Sequence, residues 1–219
     1  MPRIAQRVIP FGTTIFSEMT KLAQEHGAIN LSQGFPDFDG PPAMIEEVAK
    51  AMREGHNQYA RSQGHPLLVT ALADRQASLY GLRYDAMTEV VVTSGATETI
   101  AASLLGLLDP GDEVILIEPF YDSYPAALAM ARAVPRYVTL RFPDFHLDVD
   151  ALEKLITPKT RAILINSPHN PTGKVYSDAE LQAIADLAIA HDLWVISDEV
   201  YEHLTYDGVG HRPIATLPG

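Results

Sequence analysis

A chain of 219 residues with 47% hydrophobic and 20% charged side chains can bury a large core, which excludes a disordered chain. Its 16 basic against 28 acidic residues leave a net charge of −12, and this argues against a nucleic-acid partner because phosphate contacts draw on clustered Lys and Arg. Cysteine is absent, no apolar run approaches the roughly 18 residues of a membrane span, and MPRIAQRVIPFGTT lacks a signal-peptide core; the expectation is a cytoplasmic protein without disulfides, thiolate metal sites or a membrane partner.

The first third reads as helical. Thr13 or Thr14 is placed to cap a helix that runs through His26 and stops at Gly27, and Pro41 opens a second segment that stops at Gly55. Between them, LSQGFPDFDGPP at 31–42 combines Pro and Gly with Phe35 and Phe38, so it predicts irregular backbone carrying aromatic rings. A third helix is expected from Pro66 to Tyr80, before Gly81.

From Glu89 the pattern changes to short β-branched runs separated by amphipathic segments, which predicts βα units around a mostly parallel sheet flanked by helices. Five strands are expected, at residues 90–93, 113–117, 136–140, 162–165 and 193–197. The clearest helix follows Ser177, where Ser177 and Glu180 make an S-x-x-E capping box ahead of LQAIADLAIAH.

In an open parallel sheet, ligands bind beyond the carboxyl ends of the strands, so the residues there carry the functional argument. After 90–93 comes SGATET: Gly95 and Ala96 let backbone approach a ligand, and Thr97 and Thr99 place hydroxyls at a helix N-terminus, where free N–H groups and the dipole favour a phosphate. The same residues also read as ordinary helix caps. After 162–165 comes NSPHNPTGK, a stiff turn able to hold an amide of Asn166 or Asn170 in one orientation, or simply a strand-to-helix connection. After 193–197, Asp198 sits directly beyond a buried strand, where a carboxylate needs a cap to make, a neighbouring base or a cationic ligand nitrogen.

An anion cradle, an oriented amide and a strand-end carboxylate together suit a pyridoxal-phosphate site, in which a protonated ring acts as an electron sink. The strings INLSQGFPDF, NQYARSQG, SGATE, EPFYDSY, NSPHNPTGKV and SDEVYEH, in this order, resemble the class I/II aminotransferases of pyridoxal-phosphate fold type I, most of all the kynurenine, glutamine and methionine aminotransferase branch. The resemblance implies amino transfer from an L-amino acid to a 2-oxo acid, with pyridoxal 5'-phosphate as cofactor. It places Gly95, Ala96 and Thr97 at the cofactor phosphate, Tyr121 on the ring face, Asn170 and Tyr201 at the ring oxygen, and Asp198 at the pyridine nitrogen. Tyr59 matches a tyrosine that reaches the neighbouring subunit's cofactor phosphate, which implies a homodimer with shared active sites. Gly34, Phe16 and again Asn170 match substrate-side positions.

The resemblance also implies an N-terminal segment over 1–40 and an incomplete cofactor-binding large domain over 41–219, with the small C-terminal domain absent. The family's covalent lysine lies in a Ser-x-x-Lys stretch, and Lys21, Lys50, Lys154, Lys159 and Lys174 are all out of that context. Lys174, in NPTGK, is expected to be a surface charge. Five of the family's seven strands are expected, with the two that would separate 90–93 from 193–197 lying beyond Gly219. That leaves a slot of about 14 Å, three strand spacings. Hence the chain alone is expected to be inactive and not to form a stable soluble monomer. A carbon–sulfur β-lyase of the same fold and a catalytically inactive fragment or pseudoenzyme are the competing expectations. A nucleotide-binding Rossmann protein is disfavoured because neither G-x-G-x-x-G nor G-x-x-x-x-G-K-[ST] occurs, and the Glu199 and His203 pair at i, i+4 is weak as a zinc motif.

Overall fold

The computed structural model describes residues 3–34 and 36–218, so Phe35 of the aromatic loop lies outside the described residues. Helix α1, Ile15–His26, starts where Thr14 is extended and its hydroxyl accepts the Ser17 N–H at 3.2 Å. It stops at Gly27, whose φ of 59° is the left-handed conformation that ends a helix cheaply only at glycine. Helix α2, Pro42–Arg53, has proline in its first turn, and α3, Pro66–Tyr80, ends at Gly81. These limits follow the caps read from the sequence.

Helix α4, Ala96–Leu107, leads into the alternating region: β1 Glu113–Glu118, α5 Ser123–Ala131, β2 Val134–Thr139, α6 Val149–Glu153, β3 Thr160–Asn166, α7 Asp178–Ala190 and β4 Trp194–Asp198. The sheet has four parallel strands in the order β2-β1-β3-β4, with Ile115 beside Ile163 and Ile163 beside Val195. The centres of β1 and β3, Val114–Ile117 and Ala162–Ile165, are apolar because both of their faces are covered. Val114, Leu116, Ala162 and Leu164 pack on Leu104, Tyr124 and Leu128 from α4 and α5. The alternate residues Ile115, Ile117, Ile163 and Ile165 pack on Leu152, Leu181 and Ile184 from α6 and α7. No helix among the described residues is long and apolar enough to cross a membrane.

The expected strand at 90–93 is not one. Its backbone is not laddered to any strand; instead the Val92 N–H donates to the Gln63 carbonyl at 2.9 Å. A β-branched run favours extended backbone, but a strand exists only where a second extended segment lies alongside. Here the neighbour is a loop, pressed so close that a Cβ on Gly64, at φ 116°, would stand 2.7 Å from Val92 Cγ2. The remaining strands exist with shifted ends, since pairing sets their limits: β2 begins at Val134 because Val134 lies opposite Glu113.

Lys174 also departs from expectation. It is a half-buried ion-pair partner, not a surface charge: its Nζ lies 2.8 Å from Glu180 Oε1, with side-chain exposures of 11% and 7%. Glu180 closes the expected capping box with Ser177 and accepts the Leu147 N–H at 2.9 Å as well. Burial alone would raise the Glu180 pKa, but the bonds from Lys174, Leu147 and Ser177 outweigh it and hold it at about 2. The capping glutamate thus draws the lysine inward.

Candidate functional site

The carboxyl ends of β1, β3 and β4 and the N-terminus of α4 converge on a cavity of about 870 Å³. Its walls include Ala96, Thr97, Tyr121, Asn170, Asp198 and Tyr201, and the N-terminal segment contributes Phe16 and Gly34. Sequence positions from 16 to 201 are thus brought to one place by the strand ends, as a parallel sheet requires. Gly95 adjoins the cavity as the α4 N-cap. Tyr59 does not join it and stands fully exposed.

The start of α4 is built without a side-chain cap. Gly95 takes φ 85°, a conformation that disfavours any residue with a Cβ, and no side chain bonds the first-turn N–H groups. The capping alternative for the two threonines therefore fails. Thr97 lines the cavity, while Thr99 Oγ1 shares a 2.6 Å bond with Thr93 Oγ1. Glu98 reaches back to the Ser94 N–H, which ties the loop to the helix. First-turn donors and the helix dipole at Ala96 and Thr97 suit an anion.

Asp198, the last residue of β4, is 9% exposed. Its Oδ1 accepts the Val200 N–H at 3.2 Å and its Oδ2 accepts the Tyr124 hydroxyl at 2.6 Å. Among the described residues, no cationic side chain lies within ion-pair distance of it. Burial and the adjacent Asp198 push the Tyr124 hydroxyl far above its ordinary value, so the proton stays on Tyr124 and the carboxylate only accepts its hydrogen bond. A buried carboxylate with two donors and no counter-ion has room for a cationic partner.

Asn166, at the end of β3, clasps the following turn: its Nδ2 donates to the Asp198 carbonyl at 2.9 Å and its Oδ1 accepts the Asn170 N–H at 2.7 Å. Asn170 is thereby held with its Nδ2 3.4 Å from the Tyr201 hydroxyl. Between them, His169 is buried and its Nδ1 lies 2.7 Å from Thr172 Oγ1. Burial pushes this imidazole down to about 4, with the Lys174 charge adding and a hydrogen bond to the Pro119 backbone opposing. The turn is therefore held by a neutral histidine.

Sequence reasoning missed Tyr124. The sequence carries no signal that singles it out; it stands on the first turn of α5, three residues after Tyr121, and its burial there gives the hydroxyl need of a partner. The rings of Tyr121 and Tyr124 meet edge to face at 6.0 Å. Sequence reasoning also missed the apolar wall of Ile100, Val200 and Leu204, which carries no motif. Glu199 and His203, a weak metal pair by spacing, take different partners. Glu199 lies against His211 and His203 against Arg75.

Residues 26–217 match the family described as aminotransferase class I and II. Probable N-succinyldiaminopimelate aminotransferase DapC of Mycobacterium tuberculosis is 53% identical over 216 residues, covering 97% of this chain and 54% of that protein. Methionine aminotransferase of Escherichia coli is 42% identical, with 99% of this chain and 56% of that protein covered. Among solved structures, the M. tuberculosis N-succinyldiaminopimelate aminotransferase superposes with a TM-score of 0.93 over 97% of this chain and 56% of that one. YbdL of E. coli, described as having a methionine aminotransferase function, superposes with a TM-score of 0.94 at 42% identity, over 99% of this chain and 57% of that one. The chain spans about half the length of the curated relatives it matches.

Proposed function

The chain belongs to the class I and II aminotransferases, a pyridoxal-phosphate-dependent class of fold type I, and from that premise we propose that the protein transfers an amino group from an L-amino acid to a 2-oxo acid. The observation that carries the proposal is the buried Asp198 carboxylate at the end of β4, without a counter-ion among the described residues, lining the same cavity as the uncapped start of α4. Those two ends suit the two ends of pyridoxal phosphate, a basic ring nitrogen and a phosphate.

When bound, the cofactor supplies a carbonyl carbon that takes up the amino group and a ring that draws electrons from the substrate α-carbon. The N–H groups of Ala96 and Thr97 hold the phosphate, and Gly95 lets the backbone approach it. Tyr121 covers one ring face. Asp198 would hold the proton on the ring nitrogen, and the Tyr124 hydroxyl, donating to Oδ2, keeps the carboxylate aimed. Asn170 and Tyr201 donate to the ring oxygen from neighbouring positions. Gly34 and Phe16 border the substrate side, where Asn170 also meets the substrate carboxylate, and the wall of Ile100, Val200 and Leu204 limits water. Tyr59, exposed on its own chain, reaches the phosphate of a partner protomer in a homodimer. No lysine stands among the residues lining the cavity, so the covalent role is assigned to none of the five in this chain.

The test is a titration with pyridoxal phosphate, followed by mixing with L-amino acids and measuring the 2-oxo acid released. Saturable binding is expected, weakened about tenfold or more in Asp198→Asn, which removes a buried charge-assisted contact. Equal binding by the wild type and Asp198→Asn would remove the basis of the proposal.

A further inference from the structure

The turn after β4 carries Tyr201, and its own backbone holds it with few bonds: the Glu202 N–H donates to the Glu199 carbonyl at 2.9 Å and the Leu204 N–H to the Tyr201 carbonyl at 2.7 Å. The side chains on either side of Tyr201 do more. Glu202 Oε1 accepts from Arg75 Nη2 at 2.6 Å and Glu202 Oε2 from the Tyr80 hydroxyl at 2.7 Å, both donors standing on α3. Arg75 Nη2 is also 2.6 Å from His203 Nε2. Glu199 accepts the Ser197 hydroxyl at 2.7 Å and faces His211 Nε2 at 3.2 Å, and the Tyr80 ring meets the His211 ring edge to face at 6.2 Å. Around Tyr201, then, the charged and titratable groups among the described residues include Asp198, Glu199, Glu202 and His203 on its own segment, Arg75 and Tyr80 on α3, Tyr121 and Tyr124 across the cavity, and His211 further along the chain.

An exposed ion pair contributes little. This one differs, because the Glu202 side chain is only 17% exposed and each of its oxygens has a short bond to a different donor. Burial and Glu202 push the Tyr80 hydroxyl up to about 12, while the bonds from Tyr80 and Arg75 overcome burial and lower the Glu202 pKa. The cluster is one carboxylate shared by two fixed donors.

We propose that Glu202 is a positioning residue: by locking the turn after β4 to Arg75 and Tyr80 of α3, it sets where the Tyr201 hydroxyl stands relative to Asn170. The inference rests on the assignment of Tyr201 and Asn170 to the cofactor ring oxygen. Its physical basis is adjacency: Glu202 follows Tyr201 directly, so the two short bonds that tie it to α3 limit how far the turn can carry the Tyr201 hydroxyl from the Asn170 amide, which lies 3.4 Å away. A turn released from α3 lets the Tyr201 hydroxyl drift from that place, which weakens its bond to the ring oxygen.

The experiment compares the cofactor dissociation constant, the absorbance spectrum of the bound cofactor and the melting temperature of the pyridoxal-phosphate-loaded protein and its variants. Glu202→Ala is expected to weaken binding by about three- to tenfold, the loss of one charge-assisted bond to the ring oxygen, and to shift the absorbance band. Glu202→Gln, which keeps an acceptor oxygen, is expected to recover most of the wild-type spectrum. In a Tyr201→Phe background, Glu202→Ala is expected to shift the spectrum no further. A Glu202→Ala protein with a lowered melting temperature but unchanged spectrum and affinity would overturn the proposal. So would an equal shift in the Tyr201→Phe background, which would mean that Glu202 acts by another route. If Glu202→Ala fails to fold, Tyr80→Phe removes a single hydroxyl donor, and an unchanged spectrum there overturns the proposal equally. A wild-type protein that binds no pyridoxal phosphate overturns the cofactor assignment itself, a result distinct from any of these.

Discussion

The two N-terminal helices and the strand-bearing region from β1 to β4 obey the same local rules and end with opposite burial. α1 has a side-chain N-cap as α7 does and α2 opens on proline, yet neither contains a single buried residue, and Ile45, Val48 and Met52 of α2 are all more than half exposed. In β1 and β3, by contrast, Val114, Ile115, Leu116, Ala162 and Ile163 are 0% exposed. Caps act over three or four residues and need no partner. Burial needs a second surface, and in this chain the sheet supplies one on each face of its central strands.

The comparison can be broken most directly by truncating one side chain in each region. Leu164→Ala, in the centre of β3, is expected to cost about 2–5 kcal/mol in denaturant unfolding, from lost transfer energy and the cavity left behind. Val48→Ala, on the exposed face of α2, is expected to change stability by no more than about 0.5 kcal/mol. A comparable loss at Val48 would mean that the α2 face is covered in solution.

A smaller effect should appear on acidification, because His169 in the strand-bearing region is held neutral. Its folded value of about 4 lies below the ordinary 6.5, so between these values the unfolded chain binds the proton that the folded one refuses. Stability from this group is complete above about pH 6.5 and falls as the pH drops toward 4, by on the order of 3 kcal/mol. His169→Gln should flatten that part of the pH profile of unfolding; an identical slope would show that the histidine does not carry it.

The smallest difference concerns the caps. Ser177→Ala is expected to cost about 1–2 kcal/mol globally, because the capping box also positions Glu180 over Lys174 and Leu147. Thr14→Ala should cost about 1 kcal/mol within α1 only, seen as faster amide exchange of that helix with the global transition unmoved. A global shift equal to that of Ser177→Ala would show α1 coupled to the core.

Much of the site was legible because it lies where parallel strands end. Ala96, Thr97, Asn170, Asp198 and Tyr201 all follow strand-like or extended runs, and all line the cavity. Tyr124 was not legible, since its partner Asp198 is 74 residues away and nothing in EPFYDSY marks which of its aromatic residues will be buried. The pairing of Glu199 with His211, and not with His203, was hidden for the same reason.

The limits of α1, α2 and α3, the start of α7 and the parallel α/β class were determined by the sequence itself, through signals complete within a few residues: Thr14 before α1, Gly27 after it, Ser177 with Glu180, and apolar runs spaced by amphipathic segments. Only the tertiary structure decided that residues 90–93 lie against the Gln63 loop and form no strand, that Lys174 turns inward to Glu180, and that Arg75 reaches Glu202 across 127 residues. The physical reason is common to all three. A ladder, an ion pair and a hydrogen bond each require two groups, and which group becomes the second is set by how the fold places the segments that carry them, whether six residues apart or 127.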